Sequence, residues 1–318
     1  MSSSAARPAP LPMHGFLNID KPTGMTSFDV VRAVRRAASV KRVGHAGTLD
    51  PLATGVLPVG IGSEATRLID TLVDFDKAYL ADIAFGIETD TDDAEGQPVA
   101  EGDPARLGAL SQDEIAAALA TFVGEQLQFP PAYSAIKRDG VPAYRAARRG
   151  EPLALDARPV VAHSLHLVSF EAGHATVEVE CGKGYYVRSL ARDLGRLLGV
   201  GGHIAALRRT RVGPFAIARA TPLAGVTARL EARESLETLL HAPDAILFRW
   251  PALLLTSEEA AAIRDGKTVR PPELRGTPEF GLKARVYGLE GRLLALAEHR
   301  EDHAWHPYRV FPAHTQPE

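Results

Sequence analysis

One carboxylate stands out by its setting. Asp50 lies in the run Gly44-His45-Ala46-Gly47-Thr48-Leu49-Asp50-Pro51, which continues to Gly55-Val56-Leu57-Pro58. From Gly44 to Gly55 there is too much glycine and proline for a regular element. The run marks a long ordered loop, of the kind that is commonly functional in a compact domain. Pro51 restricts the residue before it to extended or bridge backbone, so Asp50 is held by the main chain. A carboxylate with an ordinary pKa of about 3.9 is ionised at neutral pH. Held in place, it can serve as a nucleophile or a general base. The plainer reading is an aspartate that closes a turn.

Other chemistries leave no comparable mark. Cys181 is the single cysteine, so no internal disulfide can form, and no Cys or His flanks it at metal-ligand spacing. It reads as a small buried hydrophobe on a strand, and a reducing cytoplasm is the compartment it suggests. The histidines form no HExxH, and no GxGxxG or GxxxxGK[ST] loop occurs, so neither a metal nor a nucleotide cofactor is implied. No apolar run is long enough to make a membrane-spanning helix.

The net charge of -3 speaks weakly against a nucleic-acid partner, but its distribution speaks for one. Arg32, Arg35, Arg36, Lys41 and Arg42 fall together. So do Lys137, Arg138, Arg145, Arg148 and Arg149, and again Lys183, Arg188, Arg192, Arg196, Arg208, Arg209 and Arg211. Acids gather elsewhere, as in Glu88, Asp90, Asp92, Asp93 and Glu95. Local basic surfaces can track phosphates on a mildly acidic molecule; any one such cluster also reads as a solvated helix face.

The elements that must carry these residues alternate between strand and helix. Residues 1–13, rich in Ser, Ala and Pro, read as a disordered tail. GFLNID alternates as a strand, KPTGMTS turns, and Thr26 or Ser27 caps a helix whose Val30, Val31 and Val34 share one face. VLPVGIG reads as a strand, EATRLIDTLVD as a helix and KAYLADIAFG as a strand. Ser111 and Glu114 have the spacing of a capping box. Residues 126–152 are broken by prolines. HSLHLVSFEAG and HATVEVECG pair as strands, YYVRSLARDLGRLLG is a helix ended by Gly199, and EARESLETLLH is a further helix. After about residue 245 the texture becomes that of a small β-rich module, with a hairpin turning at Glu290-Gly291.

Six blocks, in order, resemble the tRNA pseudouridine-55 synthase family. They are Lys21-Pro22-x-Gly24-x-Thr26-Ser27; the Asp50 run; Lys77-x-Tyr79; Gln128-x-Pro130-Pro131-x-Tyr133-Ser134-Ala135-x-Lys137; Gly182-Lys183-Gly184-x-Tyr186-x-Arg188 with Asp193-Leu194-Gly195; and His203 through Leu207-Arg208-Arg209. Together they cover about residues 15–223, and the C-terminal module resembles the PUA domain.

The resemblance implies an α+β pseudouridine synthase fold: a large mixed, mainly antiparallel sheet flanked by helices, followed by a small C-terminal β-barrel. It implies a catalytic domain over 14–245, with 126–152 as an RNA-binding lid, and a PUA-like RNA-binding domain over 246–318. It implies an isomerase that flips a uridine out of the tRNA T-loop at position 55, breaks its N1–C1′ bond, turns the base and joins C5 to C1′. Asp50 would be the catalytic carboxylate, Tyr79 would stack on the uracil and assist removal of the C5 proton, and Arg188 would pair with Asp50. Arg192 and Arg196 read as solvated. Among binding residues, His45 would fill the space left by the flipped base, Lys21 and Pro22 would support the floor, and Leu207 would pack on the uracil. Asp93 would contact flipped-out bases, Lys137 and Arg148 would contact phosphates from the lid, and Tyr186 belongs to the helix motif. The expected partner is the T-arm of tRNA, with no membrane, no cofactor and no obligate protein partner, and the chain acting as a monomer. Two alternatives use the same surface: a non-catalytic tRNA-binding or tRNA-folding chaperone, and an RNA-guided synthase acting on ribosomal RNA.

Overall fold

In the computed structural model, which describes residues 14–138, 140–151, 153–271 and 278–311, the chain enters through β1 (Gly15–Lys21) and turns into α1 (Ser27–Ala38). Thr26 caps α1. Its hydroxyl accepts from the Asp29 amide, and the Asp29 carboxylate accepts from the Thr26 amide, so two otherwise orphaned donors are satisfied. Val30, Val31 and Val34 are buried on one face, as their spacing requires. The proposed tail lies outside the described residues.

β2 (Val43–His45) and β3 (Thr54–Ile61) flank the Asp50 loop, and α2 (Gly62–Val73) and β4 (Lys77–Phe85) follow. Then come β5 (Ile87–Thr89), β6 (Pro98–Glu101), α3 (Pro104–Gly108), α4 (Gln112–Ala120) and β7 (Gly124–Gln128). Ser111 and Glu114 close the capping box at α4. The proline-broken segment contains β8 (Lys137–Arg138), β9 (Val141–Pro142) and α5 (Ala143–Ala147). Beyond it lie β10 (Arg158–Glu171), β11 (His174–Cys181), α6 (Val187–Leu198) and β12 (Gly202–Val212). Gly199 ends α6 at φ +74, a left-handed cap that glycine adopts without strain.

β13 (Phe215–Ala216), β14 (Thr221–Pro222), α7 (Leu223–Glu231) and β15 (Leu240–His241) complete this part. The helix expected at EARESLETLLH lies earlier in the chain. Leu223, Val226 and Leu230 form its buried stripe, and it stops at Glu231, two residues before Arg233 turns to φ +59.

The main sheet runs β14-β1-β3-β12-β4-β11-β10-β7. The pairs β1–β14 and β3–β12 are parallel and the others on this path are antiparallel. One apolar cluster joins the sheet to α1, α4, α6 and α7; a second joins its other face to α2.

The C-terminal module holds β16 (Ala252–Leu254), α8 (Ser257–Arg264), β17 (Lys283–Tyr287), β18 (Leu293–His299) and β19 (Trp305–Val310). The expected small barrel is not closed among the described residues. The strands form an open sheet, β16-β17-β18-β19, and Ile263 of α8 packs with Leu253, Val286 and Trp305 in its core. A helix thus buries the face that barrel closure would have covered. Leu293, Leu296 and Phe311 join Leu68 and Leu72 of α2 in one cluster with Ile246 and Leu247, which seats the module on the main sheet.

Candidate active site

Neighbouring strands carry one transverse row of residues. Lys21 of β1 pairs with Gly55 of β3, Gly55 with Arg209 of β12, and Arg209 with Tyr79 of β4. Directly paired residues leave a sheet on the same face, so these side chains form a floor. Leu207, two residues before Arg209, lies on the same face opposite Ala81 and is buried. Gly55 sits at φ +102, and a Cβ there would lie 2.2 Å from the carbonyl oxygen of Arg209. Only glycine lets β12 approach β3 this closely.

The Asp50 loop is fastened onto this floor from several sides. Lys21 Nζ donates to the carbonyls of Met25 (2.7 Å), Pro22 (2.9 Å) and Pro51 (3.3 Å). Ser27 Oγ accepts from the Leu49 amide at 2.8 Å and donates to the Leu49 carbonyl at 3.1 Å. The Gly24 amide donates to the Pro51 carbonyl at 2.9 Å. From the far side, Arg209 donates to the carbonyls of Val56 (2.8 Å), Gly47 (3.0 Å) and Thr48 (3.4 Å). Asp50 therefore sits on a braced backbone, the preorganisation that a reacting group requires.

Arg188 of α6 grips the carboxylate with two nitrogens. Nε lies 2.9 Å from Asp50 Oδ2, and Nη2 donates to Oδ1 at 3.3 Å. The guanidinium side chain is 7% exposed and the carboxylate side chain 36%, so the anion faces the opening while its partner is buried behind it. Arg188 also donates to the carbonyls of Thr91 (2.9 Å) and Tyr133 (3.0 Å). The start of the proline-broken segment is thus tied to the same guanidinium.

Asp93 is placed differently from the expected contact with flipped-out bases. Its side chain is 4% exposed and lies 3.6 Å from Arg188 Nη1. It accepts from Thr91 Oγ1 at 2.6 Å and from the Glu95 amide at 3.1 Å. Its Oδ1 is bonded inside the turn, and its Oδ2 backs Arg188.

Arg192, expected to be solvated, is instead half-buried and fully paired. One turn beyond Arg188 on α6, it meets the same acidic turn. It pairs with Asp92 and Asp193 at 2.9 and 2.8 Å and donates to the Phe129 carbonyl at 3.0 Å. Arg196 is exposed, as expected, and pairs with Glu88.

Burial pushes the Tyr79 phenol up to about 12, and the neighbouring Arg209 guanidinium pulls it back down. His45 is half-buried; burial and the charge of Arg209 lower its pKa, which leaves the imidazole neutral at pH 7. Tyr186 precedes α6 and is locked by Gln128, which accepts from its amide at 2.8 Å and donates to its carbonyl at 3.0 Å. Burial raises its phenol pKa. Pro22 is exposed in the turn beside Lys21. Lys137 and Arg148 are exposed on the proline-broken segment, Arg148 lying over the Tyr144 ring at 5.8 Å, and neither forms an ion pair among the described residues.

The structure therefore gathers Asp50, Arg188, Tyr79, Leu207, Lys21 and His45 around one floor, while Lys137 and Arg148 are exposed on the segment that follows Tyr133. Ser27 and Arg209 escaped the sequence reading as loop clamps. A signal for Arg209 existed: consecutive residues on a strand face opposite sides, so one of Arg208 and Arg209 had to point inward.

Lys21 offers a test by pH. Burial lowers its pKa from 10.5 to about 8. Between those values the unfolded chain binds more protons than the folded one, so this group's contribution to stability rises with pH there. Relative to Lys21→Met, the wild-type protein should gain thermal stability between pH 7.5 and 10. A constant difference across that window would contradict a buried ammonium.

The chain also matches known families and proteins. A family model described as "TruB family pseudouridylate synthase (N terminal domain)" matches residues 35–187, and one described as "tRNA pseudouridylate synthase B C-terminal domain" matches residues 188–247. The chain is similar to a tRNA pseudouridine synthase B of Pseudomonas aeruginosa (strain UCBPP-PA14), 43% identical over 93% of this chain and 95% of the relative. A protein of the same name from Aromatoleum aromaticum is 46% identical over 89% and 88%. Among solved structures, a chain from a Cbf5-Nop10-Gar1 complex superposes with a TM-score of 0.72 at 24% identity, covering 98% of this chain and 90% of that one. At that identity the likeness concerns the fold alone.

Proposed function

Because this chain belongs to the TruB family of pseudouridylate synthases, we propose that its floor and braced loop act on one flipped uridine of the tRNA T-loop, at position 55. The chain is an isomerase that converts uridine to pseudouridine in tRNA. In our reading, Asp50 is the carboxylate on which cleavage of the N1–C1′ bond depends, Arg188 orients it, and Tyr79 and Leu207 hold the uracil. The observation that carries this reading is the Asp50–Arg188 fork, with the anion open and the cation buried.

A uridine stacked inside a folded loop exposes neither C1′ nor C5, so it must be extruded at a cost of a few kcal/mol. A neutral His45 suits the vacated space, because it fills volume without carrying a charge into a base stack. Lys137 and Arg148 on the lid would meet phosphates, which makes binding salt-dependent. The RNA-guided alternative is not favoured, since relatives at 41–46% identity carry the name tRNA pseudouridine synthase B. We propose a cytoplasmic monomer that needs no protein partner. No helix among the described residues is long and apolar enough to cross a membrane. The deciding experiment incubates the purified protein with an unmodified T-arm stem-loop and maps pseudouridine by position; modification elsewhere, or none, would overturn the assignment.

We also assign RNA binding to the C-terminal module. Deletion of residues 250–318 should weaken tRNA binding yet leave slow turnover. It should also lower thermal stability, because the cut uncovers Leu68 and Leu72 of α2. Binding and single-turnover assays on the truncated chain check this; complete loss of turnover with a folded core would contradict the division.

A further inference from the structure

Arg209 is a cation in an unusual position. It is 1% exposed, and no carboxylate lies within ion-pair distance of it among the described residues. Its nitrogens meet the carbonyls of Gly47, Thr48 and Val56. A clamp needs only donors, and a neutral side chain could supply them without the desolvation cost of a lone buried charge. Lys21, in the same row, shows that cost in a pKa lowered to about 8; a guanidinium cannot shed its charge at any ordinary pH. The charge itself therefore calls for an explanation. The residue directly across the strand pair from Arg209 is Tyr79.

We infer that Arg209 is a positioning residue that makes Tyr79 a competent acceptor for the C5 proton, by holding a fixed positive charge against the phenol oxygen. This rests on the reading of Tyr79 as that acceptor. Once C5 has joined C1′, C5 still carries its hydrogen. The C5–H bond breaks and its electron pair closes the C5=C6 bond. The C6=N1 pair moves onto N1, which takes a proton from solvent. Tyr79, a phenol at rest with its pKa pushed up to about 12, first gives its proton to solvent, and the C5 proton then passes to the phenolate oxygen and restores the phenol. Nothing is oxidised or reduced, and the proton given to solvent balances the one that N1 takes. Phenolate in a dry site needs a counter-charge, and Arg209 is there before the reaction begins, with no reorganisation required. Cys181 and Asp50 also face this phenol and push the other way.

The test compares tRNA stem-loops with protium or deuterium at C5 of the target uridine. R209Q should slow turnover by about a hundred-fold, the scale of a lost proton-transfer contribution. Its C5 isotope effect should rise above the wild-type value, because C5–H cleavage becomes the slow step. R209K should recover most of the rate and the wild-type isotope effect. The isotope effect is a ratio, so it is insensitive to the fraction of variant that folds. A slow R209Q with a wild-type isotope effect would reduce Arg209 to a loop clamp and overturn the inference. Tyr79→Phe separates the two readings. If it leaves both rate and isotope effect unchanged, the Tyr79 assignment fails and this inference with it. If it raises the isotope effect while R209Q does not, only the inference about Arg209 fails.

Discussion

Asp50→Asn should lower pseudouridine formation by about a thousand-fold or more, the scale seen when a reacting group is removed from an intact site, while tRNA binding stays within a few-fold. The substitution conserves size. The loop is held by backbone contacts to Lys21, Ser27 and Arg209 that do not involve the Asp50 side chain, so the fold and the RNA-binding surface should survive. Arg188 keeps Asp93 and two carbonyls as partners, so no buried charge is stranded. What disappears is the negative charge at the point where the glycosidic bond must break. Release of label from C5 of the target uridine, read beside a binding isotherm, checks both halves. Residual turnover above a few per cent would remove Asp50 from the reaction.

Arg188→Met should damage both stability and catalysis. The guanidinium neutralises Asp93, which is buried, and satisfies the carbonyls of Thr91 and Tyr133. Removing one partner of a buried ion pair typically costs about 3–5 kcal/mol. At about 1.4 kcal/mol per factor of ten, that amounts to about two to three and a half orders of magnitude if it falls on the reacting state. We expect a lower melting temperature together with a kcat reduced by about a hundred-fold or more. Arg188→Lys should fall between, because it keeps the charge but loses the fork that spans Asp50 and both carbonyls. A Met variant within ten-fold of wild type would show that the fork does not orient the carboxylate.

Much of the site was legible in the chain itself. The Gly- and Pro-rich run around Asp50 announced a fixed loop, because those residues restrict backbone wherever they occur. Val30, Val31 and Val34 announced the buried face of α1, and Ser111 with Glu114 announced a helix start, because both signals act within a few residues. The order of six motifs announced the family. Less legible was α7. Leu236, Leu239 and Leu240 have apolar spacing as good as that of Val226 and Leu230, and only packing decides which set continues a helix.

Sequence by itself determined which residue types were available and how the backbone near Asp50 could bend, since backbone restriction and helix capping are local properties. Tertiary structure alone decided their employment. It set Lys21, Gly55, Arg209 and Tyr79 in one row, although they lie up to 188 positions apart in the chain. It turned Asp93, expected to contact bases, inward against Arg188, and it packed Arg192, expected to be solvated, between Asp92 and Asp193. Among the described residues it left the C-terminal sheet open under α8. The physical reason is common to all of these: the fate of a charge depends on which strand or helix lies across from it, and strand register and helix packing are set by contacts between segments far apart in sequence.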